Sequence, residues 1–494
     1  MSSAPATSPT TRWWALGVLS ITQLMVALDA TVINIALPHA QRDLHFSLAN
    51  RQWLITAYAL SFGSLLLLGG RLSDLWGRRT SLYVGLAGFA LASALGGTAH
   101  SFSTLVAARA VQGVFGALLA PAALAALSTT FSNPRERAKA FSIYGAIGGS
   151  GAAIGLLLGG ALTQWTSWRW CLFINLFFAG FAIIGVVLFI SGGRREHETH
   201  LDVPGTLLAS AGLFFVVYGF AHAVTTSWAN YATWGSLVLG VAFLTAFVYW
   251  QQRTKYPLLP LRLLLNRARG GSLIALFLTS IGIFGISLFL AYYLQGTLGY
   301  SPLRTGVAFL PLVGAIALSA FIASARLLAV SGPRPLVPAG MLLSMMGMIL
   351  FTRLSPGNDY FSNVLPGLVV TGLGLGLIFA PAVATATSGV RLSDAGAASA
   401  LVNTTQQIGG SMGVALLNTI AVSVTARATL HSFPATGQSS AGAEAKIILV
   451  NATLHGYAVA FWWAAGFFGV GAMLALGLMP SGAPDVDAEL VQAS

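Results

Sequence analysis

The sequence predicts an all-α integral membrane protein with fourteen transmembrane helices. Its 494 residues are 56% hydrophobic and 8% charged, against about 25% charged for an ordinary soluble protein. Apolar runs of about 20 residues, long enough to cross ~30 Å of hydrocarbon, recur along nearly the whole chain. In lipid a backbone must satisfy its own hydrogen bonds, so these runs are helices, and the Pro and Gly inside them are tolerated. The formal charge of +12 sits in short loops between the runs. That is how membrane orientation distributes cations, whereas a nucleic-acid binder gathers them on a soluble face.

The first run, 13–38, is too long for a cleaved secretory leader and counts as a span. The next five are 50–69, 81–97, 102–127, 141–164 and 170–190. A short charged stretch then precedes 203–224 and 233–252. The last six are 271–295, 305–327, 336–354, 363–387, 398–424 and 453–478. An even count puts both termini on one side. With the termini in the cytoplasm, seventeen of the 25 Lys and Arg fall inside. Seven fall outside: Arg42, Arg51, Arg169, Arg304, Arg353, Arg427 and Lys446. Arg109 alone remains in the membrane. This asymmetry supports the orientation and the count, and predicts a multi-pass protein of the cell membrane.

The chain also repeats itself. RLSDLWGRR (71–79) is echoed by RLLAVSGPR (326–334), VQGVFGALLAPA (111–122) by VTGLGLGLIFAPA (370–382), and IGGSG (147–151) by IGGSM (408–412). Three matches in the same order at a nearly constant offset are hard to obtain by chance. They pair spans two to five with spans ten to thirteen and leave seven and eight without partners. The expected organisation is a cytoplasmic tail 1–12, a six-helix bundle 13–190, an inserted helix pair 191–255, a second six-helix bundle 256–480 and a tail 481–494. Parallel six-helix repeats form transporters with a midplane site between the halves.

With these motifs the sequence resembles the major facilitator superfamily, in particular its fourteen-helix drug:proton antiporters. GRLSDLWGRRTS (70–81) is similar to the signature loop, LVAARAVQGVFGA (105–117) to the fourth-helix motif, and GSGAAIGLLLGG (149–160) to the fifth-helix antiporter motif. LDATVINIALP (28–38), SWRWCLFIN (167–175) and LDVPG (201–205) resemble the fourteen-helix group. Leu156 stands where the antiporter motif usually has proline, and LFFAG follows Asn175 where the group usually has one.

The resemblance implies that Gly70, Asp74, Gly77, Arg78 and Arg79 brace the cytoplasmic gate. Independently, Gly70 and Gly77 permit a tight reversal, and an acid at Asp74, near the start of the third span, suits a helix dipole. Gly151, Gly155 and Gly159, with Gly160 beside them, make a ridge without side chains on which another helix packs closely. The family reading makes that ridge a pliable interface between the halves, and plain tight packing is the alternative.

Of thirteen acids only Asp29 lies deep in a span, and of the cations only Arg109. An ion at mid-membrane costs about 2.5–3.5 kcal/mol, which argues for function. Asp29 lies roughly 14 Å and Arg109 roughly 10 Å from the outer ends of their helices, so the two can meet. Desolvation favours the protonated acid, and a neighbouring Arg109 favours the carboxylate. Asp29 is expected to carry protons and Arg109 to modulate it, a fixed ion pair being the alternative. In the second half Tyr292, Tyr293, Gln295, Asn403, Gln406 and Gln407 are candidates for lining a substrate cavity, or for plain interhelical hydrogen bonds.

Other signals are discounted. GGSMG (409–413) lacks the strand-to-helix elbow and partners of a hydrolase. His197 and His200 have no further ligands, so no metal is expected, and no phosphate-cradling loop occurs. Cys171 is the single cysteine, so no internal disulfide forms. The expected function is proton-coupled efflux of lipophilic, often cationic, small molecules by a monomer without cofactors, driven by the proton gradient. A dedicated exporter of one natural product is the alternative, and a membrane enzyme or sensor is remote, because no catalytic constellation is present.

Overall fold

The computed structural model describes residues 9–47, 50–131, 134–190, 202–225, 228, 230–255, 257–259, 262, 266–357, 359–388, 390, 395–432 and 442–482. The regular elements among them are helices: α1 (Pro9–Leu44), α2 (Trp53–Trp76), α3 (Arg78–Gly97), α4 (Phe102–Thr130), α5 (Pro134–Trp165), α6 (Trp170–Phe189), α7 (Val203–Thr225) and α8 (Tyr231–Arg253). There follow α9 (Arg267–Tyr292), α10 (Pro302–Ile322), α11 (Pro333–Phe351), α12 (Leu365–Thr387), α13 (Ala395–Ser432) and α14 (Gly442–Leu478). Among the described residues twelve helices are long and apolar enough to cross a membrane. α2 and α5 carry shorter apolar segments, Trp53–Leu66 and Ala153–Trp165, so the fourteen expected spans are matched for twelve by this criterion.

Helices α1 to α6 pack on one another through α1–α5, α2–α4, α3–α4, α1–α6 and α3–α6, and α9 to α14 repeat the scheme through α9–α13, α10–α12, α11–α12, α9–α14 and α11–α14. Arg12 at the start of α1 pairs with Glu136 of α5 at 3.1 Å, and Arg267 at the start of α9 donates to the carbonyl of Gly477 near the end of α14. Arg71 near the end of α2 reaches Pro257 ahead of α9 at 3.4 Å. These contacts put the start of α1 and the end of α14 on one side, called here the terminal face. The opposite side is the far face.

The bundles meet along α2–α13 and α5–α10. The α5–α10 contact requires glycine: a Cβ on Gly160 would strike Leu303 and the carbonyl of Pro302, and one on Gly306 the carbonyl of Leu156. Hydrogen bonds across this seam lie at the far ends, where Gln295 Nε2 donates to Ile35 O at 3.0 Å, Leu303 N to Gln164 Oε1 at 3.3 Å and Tyr292 Oη to Gln41 Oε1. The SWRWC segment serves the same face. Trp168 Nε1 (3.0 Å) and Arg169 (3.1 Å) both bind Asp43 at the end of α1, and Arg169 also donates to the carbonyls of Gly97 and Ala99.

α7 and α8 pack as a hairpin, with α7 laid against α2 of one bundle and α13 of the other. Asp202, which is buried, anchors it. Its Oδ1 accepts from Gly205 N (2.9 Å) and Trp250 Nε1 (2.7 Å), and its Oδ2 from Gln251 Nε2 (2.6 Å) and Leu258 N (3.4 Å). The LDVPG motif thus pins α7 to the end of α8 and to the segment leading into α9.

Several expected boundaries change. α2 continues to Trp76, so Asp74 lies on its last turn rather than at the start of α3; the described residues do not include its side chain. α13 and α14 run for 38 and 37 residues, well past the expected limits at 424 and 453. At 1.5 Å per residue each is about 55 Å long, so the pair projects beyond a ~30 Å hydrocarbon core. Gly456 packs closely on Ala421 and Thr425 where that extension begins.

Asp202→Ala should leave four donors without their acceptor and lower stability by roughly 2–4 kcal/mol. Thermal unfolding in detergent checks this. Asp202→Asn, which keeps one acceptor oxygen, should recover part of the loss.

Candidate functional site

Asp29 lies midway along α1, wholly enclosed, and five helices contribute to its surroundings. Arg109 Nη1 of α4 meets its Oδ2 at 2.7 Å, so the acid and cation that the sequence isolates are brought together. Its Oδ1 accepts from Gln112 Nε2 of α4 at 3.2 Å and from Asn175 Nδ2 of α6 at 2.8 Å. Arg109 and Gln112 are three residues apart on one helix, hence on one face. Nη1 of Arg109 also donates to Gln112 Oε1 at 2.9 Å, and its Nε donates to the carbonyl of Leu54 on α2 at 3.1 Å. Gln112 Nε2 donates in turn to Ser93 Oγ of α3 at 2.7 Å. The Tyr58 ring of α2 stacks on the guanidinium at 4.5 Å.

The arrangement is a carboxylate neutralised by one cation and held by two amides. Both ions are at most 1% exposed. Charge-assisted bonds of this kind are the strong ones, and an unpaired ion here would be costly. Two polar atoms around the site are unused: Asn175 Oδ1 and Tyr58 Oη are buried without a hydrogen-bond partner. Gln112, Asn175 and Ser93 escape the sequence reading because neutral polar residues in membrane helices are common. The available signal is that Gln112 and Asn175 both fall within motifs already singled out.

The helix-five glycines divide between two neighbours. Cβ atoms on Gly151, Gly155 and Gly159 would meet Ala27, Thr31 and Val32 of α1, which places that ridge beside the Asp29 helix within one bundle. Gly160 alone of the four faces α10 and the other bundle. In the terminal-face loop, Gly77 has φ +84° and makes the reversal between α2 and α3, and Gly332 with φ +70° does the same before α11, as the repeat requires. Gly70 lies against Pro121 of α4. Arg78 Nη1 donates to Thr129 Oγ1 at 2.5 Å, and Arg79 Nη2 to Val187 O at 3.0 Å, so both arginines tie α3 to neighbouring helices.

The second-half candidates do not form one cluster. Tyr293 is fully buried and bonds Ser355 O at 2.9 Å inside its own bundle. Tyr292 and Gln295 cross to α1 as described above. On α13, Gln407 lies against Gly63 of α2, so the face it shares with Asn403 turns towards the first bundle, and Gln406 is half-buried beside it.

Arg51, assigned by loop counting to the outer surface, is only 1% exposed. It sits at the far-face start of α2 and enters the second bundle, where Asn418 Oδ1 accepts from its Nε (3.1 Å) and Nη2 (2.9 Å), and Tyr457 Oη from its Nη1 at 3.4 Å. The Tyr292 ring lies 4.4 Å from the guanidinium, and Phe289 and Tyr457 each 5.8 Å. The surrounding rings make burial of the cation tolerable.

The Major Facilitator Superfamily model matches residues 19–414. The chain is 48% identical over 472 residues to the puromycin resistance protein pur8 of Streptomyces alboniger, covering 95% of this chain and 92% of that protein. It is 36% identical over 424 residues to the cephamycin export protein CmcT of Amycolatopsis lactamdurans, covering 85% and 87%. Among solved structures, a bacterial homolog of the human lysosomal transporter Spinster, in an inward-facing and occupied conformation, superposes with a TM-score of 0.64 over 97% of both chains at 17% identity. The fold, the repeat and these matches agree: the chain belongs to the Major Facilitator Superfamily of membrane transporters.

Proposed function

We propose that this chain is a proton-coupled efflux antiporter of the fourteen-helix drug:proton group. It exports lipophilic, often cationic, small molecules by alternating access, with its terminal face in the cytoplasm. The observation that carries the reading is the enclosed Asp29–Arg109 pair at 2.7 Å in a transporter bundle, because membrane-buried ions are costly and mark ion pathways. Relatives named for puromycin resistance and for cephamycin export support efflux of antibiotic-like molecules.

In the proposed cycle, protonation of Asp29 cancels its attraction for Arg109. The guanidinium keeps Leu54 O, Gln112 Oε1 and the face of Tyr58. The new acid O–H needs an acceptor, and rotation of the Asn175 amide supplies its unused Oδ1. The acid itself therefore has hydrogen-bond partners in each protonation state. The ridge of Gly151, Gly155 and Gly159 lets α1 lie directly on α5 and transmits any shift of the Asp29 helix. Terminal-face residues Gly70, Gly77, Arg78 and Arg79, with Asp74, brace the inner gate. Tyr292, Gln295, Asn403, Gln406 and Gln407 line the path between the bundles. No cofactor takes part, and a monomer in the bilayer suffices.

A narrower reading, dedicated export of one natural product, is favoured by relatives named for single antibiotics, such as the tetracenomycin C resistance and export protein of Streptomyces glaucescens. A panel of chemically diverse antibiotics, tested for resistance and vesicle efflux, separates the two.

Asp29→Asn should insert normally and lose proton-driven efflux in everted vesicles; near-normal efflux would remove Asp29 from the coupling. Arg109→Leu, which strands the carboxylate, should cost about 3–5 kcal/mol at neutral pH in detergent unfolding. The double variant Asp29→Leu/Arg109→Leu should be the more stable of the two, and the gap should close in acid buffer as Asp29 protonates.

A further inference from the structure

We propose that the cage around Arg51 is a binding site for organic cations, which Arg51 itself fills while the far ends of the bundles are closed. The proposal deepens the export reading and rests on it for its place in a cycle, although its binding test needs no transport.

Arg51 is a buried cation that no described carboxylate pairs with. What stabilises it is neutral: the face of Tyr292 at 4.4 Å, the rings of Phe289 and Tyr457 at 5.8 Å, and the single oxygen Oδ1 of Asn418 shared by two of its nitrogens. π faces converging on one point, with only two neutral acceptor oxygens, Asn418 Oδ1 and Tyr457 Oη, select a monocation of diffuse charge. The origin of the parts matters. Phe289 and Tyr292 belong to α9, Asn418 to α13 and Tyr457 to α14, all in the second bundle, whereas the cation comes from α2 of the first. Asn418 Nδ2 returns a bond to Gln52 Oε1 at 3.3 Å, which seats the insertion.

One bundle thus builds a receptor for a positive charge and the other supplies the plug. Any motion that parts the far ends withdraws the plug and leaves the receptor intact. Space for the rest of a ligand adjoins it. A cavity of about 420 Å³ has Arg51 and Tyr457 on its wall, with Ala421, Val422, Thr425 and Leu449 lining the remainder. This is within the usual range for small-molecule pockets, and the lining suits an apolar body attached to a cationic head. It lies between the far-face ends of α13 and α14. A cation held there is at the last station before release, and the return of Arg51 expels it.

The test measures binding of benzyltrimethylammonium to the purified chain in detergent. Arg51→Ala should bind it about tenfold or more tightly than the unsubstituted protein. Arg51→Gln, which disturbs packing less, should also gain. Adding Tyr292→Leu or Tyr457→Leu should remove the gain, and the neutral isostere neopentylbenzene should not compete. Adding Asp29→Asn should leave the gain in place, so failure of the coupling reading and failure of this one are distinguishable. The proposal is overturned by no gain in either Arg51 variant, by a gain that survives loss of both tyrosine rings, by equal competition from the neutral isostere, or by a gain that vanishes with Asp29→Asn.

Discussion

Enclosing Asp29 where no water reaches it is tolerable only because Arg109 stands 2.7 Å away and two amides complete its coordination. Much of the first bundle answers to that requirement. α4 must present Arg109 and Gln112 on one face, α6 must deliver Asn175, and α2 must offer both a carbonyl at Leu54 and a ring at Tyr58. α5 must be stripped of side chains at Gly151, Gly155 and Gly159 so that α1 can lie against it. A low-dielectric interior makes the pair strong when complete and expensive when either partner is lost. On the proposed reading, a single proton therefore has large leverage over how these helices pack.

That leverage acts on a seam whose fastenings are unevenly placed. The bundles close at the far face through glycine contacts between α5 and α10, amide bonds to α1, and the insertion of Arg51. These are short-range, geometrically strict contacts, which are lost together when two rigid bodies rock apart. The α7–α8 hairpin rests on one helix of each bundle, and Asp202 ties it to the connection between them.

Much of this architecture was legible in the chain because lipid imposes a simple rule: apolar runs of fixed length, with cations between them. The repeat was legible for a similar reason, since Gly77 and Gly332 occupy equivalent positive-φ turns that few other residues tolerate. The Asp29–Arg109 pairing was legible because charge in a span is rare. Loop counting did not reveal that Arg51 is buried, because a cation near a helix end gives no sign of whether it turns to water or into a neighbouring bundle. It also stopped α13 and α14 too early, because helix paired with helix above the membrane lacks the continuous apolar pattern of a span. Gln112 and Asn175 stayed hidden among neutral side chains whose importance comes only from the acid they surround. Of the candidate cavity residues, Tyr293 turned inward to Ser355, a direction set by packing rather than by residue type.

The central claim is that Asp29 changes protonation as cargo is bound and released. Difference infrared spectroscopy on the purified protein measures it directly, by following the carbonyl stretch of a protonated carboxyl group while a transported antibiotic is added. The account predicts that cargo changes this band, and that the change is missing from the Asp29→Asn protein. A spectrum in which cargo leaves every carboxyl band unchanged, or a change that persists without Asp29, would contradict it.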